Sequence, residues 1–249
     1  MGDPYVVRRF SAFLRLYLEM GLHHDDSTLF PGPRRMNRWL RDRLDRTLFH
    51  GARLRLDTGD LRHRLMLELD HHRLPPMAWS TGQREFIPLL LGLYWLTASA
   101  STRARIRWVI LEEPELGLHP DSLQTLMLIL LDLLRQGYRL LISTHSSELL
   151  EMVWAITRLR ESPNGVHHFR QLLGLDRRQF TTAALQEILT GKTYTTYFFR
   201  RGDPGPVTVK DISTLDPGDE DPGIADWGGL TAFASHASEV VAAAMAERQ

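Results

Sequence analysis

The stretch that decides the fold is Trp108-Val109-Ile110-Leu111-Glu112-Glu113-Pro114, an apolar run that ends in two acids and a proline. Proline has no backbone N–H to donate, so a strand cannot continue through Pro114. A second apolar run, Leu140-Leu141-Ile142-Ser143-Thr144-His145, follows after a helix-length interval. Continuous apolar strands are typical of parallel sheets whose two faces are covered by helices. The sequence therefore predicts an α/β fold built on a parallel sheet.

The remaining elements are predicted from hydrophobic periodicity and turn residues. Helices are expected over residues 5–20, 36–48, 81–97, about 121–135, about 147–160, 166–173, 177–190 and 230–247, and strands over 106–111, 138–143, 194–200 and 206–213. A β-hairpin is expected from Ala52–Asp57 and Arg64–Asp70, and an exposed loop over 215–223. These elements divide the chain into an arm with a hairpin (1–75), a central lobe (76–160) and an α/β extension (161–249).

Three motifs follow one another in a fixed order. They are Trp79-Ser80-Thr81-Gly82-Gln83-Arg84-Glu85, then Glu112-Glu113-Pro114-Glu115-Leu116-Gly117-Leu118-His119-Pro120, then Ser143-Thr144-His145. They resemble the signature loop, Walker B strand and switch histidine of an ABC-type ATPase. The second motif is similar to that of the RecF, SMC and overcoming-lysogenisation-defect ATPases, which tolerate Glu where most ABC proteins have Asp. The resemblance implies the C-terminal lobe of a parallel-sheet P-loop NTPase, preceded by a helical and β-hairpin arm.

The acid pair is expected at the carboxyl end of a strand, where α/β folds bind ligands. The resemblance implies that Glu112 holds Mg²⁺, directly or through water, and that Glu113 polarises the water that attacks ATP. The residues alone leave a second interpretation open, which is a solvated acidic turn after a strand.

The Ser80-Thr81-Gly82-Gln83 loop combines a hydroxyl, a glycine and the start of a helix, which together can bind an anion. The resemblance implies contact with the γ-phosphate of an ATP molecule held by the opposite subunit. The alternative is a simple helix cap, with Glu85 completing a capping box. The two interpretations are compatible.

Two histidines are candidate site residues. The resemblance implies that His145 reaches the γ-phosphate as the switch histidine, and that His119 lies in the loop that crosses the dimer interface. A histidine directly after a strand is also often structural, so this alternative stays open for His145.

No segment before Trp79 reads Gly-x-x-x-x-Gly-Lys-Ser/Thr, the loop that would hold the phosphates of ATP. Gly191-Lys192-Thr193 repeats only the end of that motif, because Gln186 stands where a glycine is needed, and we interpret it as a helix C-terminus. We therefore expect a homo- or hetero-oligomer in which a partner chain or a missing N-terminal segment supplies Walker A. ATP hydrolysis, in DNA repair or antiviral defence, would require that complement. The alternative is an inactive pseudo-ATPase that serves as a docking protein.

Composition sets broad limits. Thirty basic residues balance thirty acidic ones, so no overall charge favours nucleic acid. The absence of cysteine excludes disulfides and thiolate metal sites and fits a cytoplasmic protein. The apolar run Phe86–Leu96 is shorter than the ~20 residues that span a membrane, so no membrane partner is expected. An arginine-rich helix over 34–46 could contact nucleic acid as an adaptor would, or form a solvated face paired with Asp42 and Asp45.

Overall fold

The computed structural model describes residue 12 and residues 28–31, 36–57, 64–97, 106–202 and 205–246. Most of the helix predicted over 5–20 and the turn Thr58-Gly59-Asp60 lie outside the described residues. The chain forms two compact units, Met1–Ser143 and Thr144–Gln249. The three-part division at residues 75 and 160 stays a prediction.

The first unit contains a four-stranded antiparallel sheet of β1 (Thr28–Phe30), β2 (Arg53–Asp57), β3 (Arg64–Leu69) and β4 (His72–Leu74), in that order. The predicted hairpin is confirmed as β2 and β3. The sequence does not predict β1 and β4, because three residues each are too few to show a period. Leu54 and Leu67 form a buried cross-strand pair, which places one face of this sheet on the core.

The arginine-rich segment is helical, as predicted, over its described part. Helix α1 (Arg38–Leu44) continues as a π-helical turn, Asp45–Phe49. Phe49 stacks on Phe30 of β1 with ring centroids 4.1 Å apart, and this contact joins the helix to the antiparallel sheet.

The first unit also contains a parallel β-α-β motif. Helix α2 (Thr81–Thr97) precedes β5 (Trp108–Glu112), and α3 (Pro120–Arg135) connects β5 to β6 (Arg139–Ser143). The predicted strands and helices are thus confirmed, with small shifts of their ends. Eleven residues of α3 are buried, and Tyr138 just before β6 donates its hydroxyl to the Leu96 carbonyl of α2 at 2.7 Å.

One expectation about this parallel sheet is wrong. The sequence predicts that both faces are covered, but Trp108 is 55%, Ile110 71% and Leu141 56% exposed. The opposite face carries Val109, which is only 9% exposed, and α3 packs against β6. In the described part of the first unit, α3 packs on one side of this strand pair, and the apolar side chains on the other side stay exposed.

Helix α3 is tied to the π-helical turn by buried hydroxyl groups. Ser122 Oγ donates to the Thr47 carbonyl at 2.7 Å, and the hydroxyl oxygens of Thr47 and Thr125 lie 3.2 Å apart. Because buried hydroxyls are stable only when hydrogen-bonded, these contacts fix the rotation of α3 relative to the segment that precedes the hairpin.

The second unit begins with three helices, α4 (Ser147–Leu159), α5 (Gly165–Leu172) and α6 (Thr182–Thr190). An antiparallel hairpin of β7 (Tyr197–Arg201) and β8 (Val207–Asp211), a short helix α7 (Pro222–Ala225), a 3-10 turn (Trp227–Gly229) and a last helix α8 (Ala232–Ala246) follow. The predicted helices 147–160, 166–173 and 230–247 and both strands are confirmed. None of the helices in the described ranges is long and apolar enough to cross a membrane.

Two expectations for the second unit need correction. The helix predicted over 177–190 begins only at Thr182, because the Asp176 carboxylate accepts the N–H groups of Arg178 and Gln179 and forms a turn there. The loop predicted to be exposed over 215–223 contains Leu215, which is 0% exposed in a core cluster. Trp227 Nε1 donates to the Leu215 carbonyl at 3.0 Å and holds it inward.

The end of α6 agrees with its prediction. The helix ends at Thr190, Gly191 follows at its C-terminus, and Lys192 pairs with Glu187 at 2.9 Å. The Gly191-Lys192-Thr193 segment is therefore a helix terminus.

The burial of α3 generates a stability prediction. Leu126 is 0% exposed, so Leu126→Ala is expected to lower the free energy of unfolding by about 2–5 kcal/mol through lost burial and a cavity. Gln124 is exposed on the same helix and loses only a surface hydrogen bond from Arg43, so Gln124→Ala should lower that free energy by about 1 kcal/mol or less. Urea unfolding of both variants makes the comparison. Equal effects would contradict the placement of α3 in the core.

Candidate functional site

The acid pair lies where β5 leaves the sheet. Glu112 is exposed and pairs in register with Ser143, the last residue of β6. The Glu113 N–H then donates to the Ser143 carbonyl at 2.9 Å, and the Glu113 carbonyl accepts from the Leu116 N–H at 3.0 Å. The first bond extends the parallel pairing by one residue. The second closes a turn that reverses the direction of the chain. The structure thus presents the acids on a closed turn, which we call the acidic turn (112–118).

Glu113 adopts an unusual backbone conformation. Its φ of 41° lies in the left-handed region, which costs a residue with a Cβ about 1–3 kcal/mol. The Ser143 and Leu116 hydrogen bonds on either side of it hold that conformation. Strain of this kind is often found at functional positions, and here it coincides with the predicted catalytic residue.

The Ser80–Gln83 loop forms a reciprocal capping box at the start of α2. Ser80 Oγ accepts the Gln83 N–H at 3.2 Å, and the Gln83 side-chain oxygen accepts the Ser80 N–H at 3.1 Å. The expectation that Glu85 completes the box is wrong, because the third residue after the Ser80 cap is Gln83. The cap interpretation is confirmed, and it is compatible with a phosphate role for the backbone N–H groups of Thr81 and Gly82.

The Ser80–Gln83 loop, the predicted signature loop, and the acidic turn touch through two glycines. A Cβ added to Gly82 would lie 2.6 Å from the Gly117 carbonyl oxygen. A Cβ added to Gly117 would lie 2.7 Å from Thr81 Cγ2, and Gly117 has a φ of +71°. Both positions therefore require glycine for close backbone approach, and Gly117 requires it for its conformation as well. We call this close approach the Gly82–Gly117 contact. It brings the first two predicted motifs together.

His119 has a structural partner. It is the cap residue of α3, and its Nδ1 accepts the Asp121 N–H at 3.4 Å and lies 3.7 Å from the Asp121 carboxylate. The side chain is exposed on the same segment as the acidic turn. Its predicted position at a dimer interface stays a prediction.

His145 belongs to the second unit and follows the last residue of β6 by two positions. It is exposed and precedes Ser146, whose Oγ accepts the Leu149 N–H at 3.2 Å and caps α4. The backbone N–H of Glu148 and the Ser146 hydroxyl hold the pKa of the Glu148 carboxyl below its usual range. The predicted role of His145 as a switch stays a prediction.

The described residues contain no group of three or more His, Asp or Glu side chains that could hold a metal ion.

Sequence reasoning assigned no role to Ser143 or Gly117, although both shape the site. The Ser143 carbonyl fixes Glu113, and Gly117 lets the signature loop approach the acidic turn. The position of Gly117 within the short segment between a strand and a helix was the available signal, because glycine is common where a turn needs positive φ.

The β5-α3-β6 unit defines an α/β protein, and its acids lie at the carboxyl end of a parallel strand, where α/β folds generally bind ligands. Residues 6–151 match the family described as "AAA domain, putative AbiEii toxin, Type IV TA system". The match covers more than half of the chain, and the chain belongs to this AAA family. No curated protein matches the chain. The resemblance to ABC and RecF-like ATPases is confirmed at the level of this family.

The Gly82–Gly117 contact predicts a graded effect of added methyl groups. Gly137 also has positive φ (+92°) but no atom within 4 Å of its position for a Cβ. Gly137→Ala should therefore cost only the left-handed strain, about 1 kcal/mol, whereas Gly117→Ala should cost about 1–3 kcal/mol more through overpacking.

Thr81→Ser removes the Cγ2 atom that the new methyl group would meet. It should recover part of the stability lost in Gly117→Ala and change the parent little. Urea unfolding of the single and double variants measures this recovery. Equal destabilisation by Gly117→Ala and Gly137→Ala, or no recovery, would argue against the contact.

Proposed function

We propose that this chain is an ATPase subunit or segment of the RecF/SMC-like ABC class. It contributes the signature loop, the acidic turn and His145 to ATP sites whose Walker A loop lies elsewhere. Nucleotide binding is what an AAA domain implies. The observation that supports the proposal is the Gly82–Gly117 contact, in which the Ser80–Gln83 loop lies beside the strained turn of Glu113.

Each residue has a role in this proposal. Glu112, exposed at the end of β5, ligates Mg²⁺, which neutralises phosphate charge when it is bound with ATP. Glu113 accepts a proton from the attacking water, and backbone hydrogen bonds hold the turn from which its side chain extends. The first turn of α2 supplies backbone N–H groups that lack intrahelical partners and can bind a phosphate of an ATP held by a facing subunit.

The biological setting is part of the proposal. The family description names a toxin of a type IV toxin–antitoxin system, which favours a role in defence against phage. Nucleic-acid contact through residues 34–46 has weaker support. Arg38 pairs with Asp42 at 3.7 Å, and Arg43 donates to Gln124 at 3.2 Å, so both arginines already have partners in the chain.

The proposal predicts weak binding of ATP to the 249-residue chain alone. A Walker A loop normally supplies a lysine and a nest of backbone N–H groups to the β- and γ-phosphates, and no Walker A sequence precedes the signature loop. Calorimetry with Mg-ATP should give a dissociation constant above about 1 mM, equivalent to less than ~4 kcal/mol of binding. A micromolar constant would mean that the chain has a phosphate loop of another kind.

A second prediction concerns Glu113 in the complemented ATPase. Glu113→Gln keeps the size of the side chain but cannot accept the proton, so phosphate release should fall by about 100-fold or more. ATP-driven assembly should persist, because the amide keeps the size of the side chain and most of its hydrogen bonds. Glu151 is exposed on α4, and Glu151→Gln serves as the isosteric control with unchanged turnover. Unchanged phosphate release by Glu113→Gln would remove Glu113 from catalysis.

A further inference from the structure

The side chain of Gln83 connects the Ser80–Gln83 loop to a segment that lies 35 residues earlier in the chain. Its Nε2 donates to the Leu48 carbonyl at 3.2 Å, and Leu48 belongs to the π-helical turn Asp45–Phe49. Its Oε1 accepts the Ser80 N–H of the capping box at 3.1 Å. The amide of Gln83 therefore has a partner within the first unit at each of its two ends.

The bond to Leu48 is not needed for the capping box. Glutamate serves in such a box as glutamine does, because only a side-chain oxygen has to accept the N–H of the cap residue. The Leu48 carbonyl requires a donor, which the amide of glutamine has and an ionised carboxylate lacks. The bond to Leu48 is thus a second function of Gln83, separate from the start of α2.

The π-helical turn also holds the helix that follows the acidic turn. The last carbonyl groups of a helix have no partner within it, and side chains of other elements bind two consecutive ones here. Gln83 donates to the Leu48 carbonyl, and Ser122 of α3 donates to the Thr47 carbonyl at 2.7 Å. Helices α2 and α3 both pack against this turn. Two neighbouring carbonyl groups therefore anchor both helices of the candidate site.

We propose that Gln83 is a positioning residue of the ATP site. Its amide holds the phosphate-binding end of α2 on the π-helical turn, and it does not contact the nucleotide. The inference rests on the proposed function and replaces the γ-phosphate contact that the resemblance implies for Gln83. A side chain in contact with a ligand would direct its amide at that ligand, whereas this amide is directed at the carbonyl group of Leu48, which is only 6% exposed.

The position of this end of α2 matters because its phosphate contacts are backbone groups. The N–H groups of Thr81 and Gly82 have no partner within the first turn of α2, and they move only when the backbone moves. The Gly82–Gly117 contact fixes the loop to the acidic turn, and the bond to Leu48 fixes it to a second element. Loss of the second attachment displaces the donors without removing any of them.

The first experiment separates the cap from the bond to Leu48 in the 249-residue chain alone. Gln83→Glu keeps the oxygen that caps α2 but places a carboxylate oxygen against the Leu48 carbonyl. Hydrogen exchange followed by mass spectrometry should show the amides of residues 45–52 exchanging at least about threefold faster than in the parent. A residue that only caps α2 would leave exchange in the π-helical turn unchanged.

Two further variants complete this experiment. Gln83→Met removes the donor without adding a charge; it should also accelerate exchange in residues 45–52, and it replaces Gln83→Glu if that variant does not fold. Gln179→Glu is the matched control, because Gln179 forms the same reciprocal box with Asp176. The Gln179 side-chain oxygen accepts the Asp176 N–H at 2.8 Å, and the Asp176 carboxylate accepts the Gln179 N–H at 3.0 Å. This control should leave exchange in residues 45–52 as it is in the parent.

The second experiment measures the consequence for ATP in the complemented ATPase. The complement is an N-terminal fragment of another family member that carries the Gly-x-x-x-x-Gly-Lys-Ser/Thr loop, co-expressed with the 249-residue chain. Gln83→Met is the variant for this experiment because it brings no charge near the phosphates. We expect the KM for Mg-ATP to rise at least about fivefold and kcat to stay within about twofold, because a positioning residue touches no reacting atom.

The two experiments separate the positioning role from the proposed function. Unchanged exchange in residues 45–52 of both Gln83 variants, an equal change in Gln179→Glu, or an unchanged KM would each overturn the positioning role. A kcat lower by about tenfold or more would assign Gln83 a contact with the reacting phosphate instead. A parent complex that hydrolyses no ATP removes the proposed function, whereas faster exchange in the Gln83 variants would still show that this amide holds α2 on the π-helical turn.

Discussion

The parallel pairing of β5 with β6 is the constraint on which the candidate site depends. It aligns five residue pairs, ends both strands together, and continues for one further hydrogen bond from the Glu113 N–H to the Ser143 carbonyl. That last bond is the final rung of the parallel ladder, and the chain leaves the strand directly after it through the positive φ of Glu113. The position of the acids is thus a result of the sheet register, and a shift by one residue would move Glu112 to the opposite face.

The Gly82–Gly117 contact then connects the sheet to the signature loop. Because Gly117 lies in the acidic turn, a side chain at position 82 would push on the segment that carries Glu113. A substitution such as Gly82→Asp therefore cannot report on contact with a facing subunit alone, since it also disturbs the site of its own chain. Thr81 is exposed, but its Cγ2 faces Gly117, so a substitution there also changes the contact within the chain.

The sequence predicted the elements whose physical signal is local. The long apolar period of α3 and the apolar runs of β5 and β6 determined their type and nearly their ends. The exposure of one face of the sheet could not be predicted in this way. The apolar pattern of Trp108 and Ile110 indicates strands that favour burial, but it does not show which element packs on them. The buried Leu215 was missed for a related reason: the Pro, Gly and Asp residues around it indicate turns, whereas its burial depends on Trp227, twelve residues away.

The geometry of Glu113 also bears on the choice between an ATPase and an inactive docking protein. A turn that served only to reverse the chain after β5 would be more stable with glycine at this position, because glycine adopts positive φ without the strain. The side chain at position 113 is a carboxylate nevertheless, and it is held by hydrogen bonds on both sides of its peptide. A docking protein gains nothing from that strain unless the carboxylate itself binds the partner. A hydrolytic site needs a base held beside the attacking water, so the strained conformation of Glu113 supports the proposed ATPase.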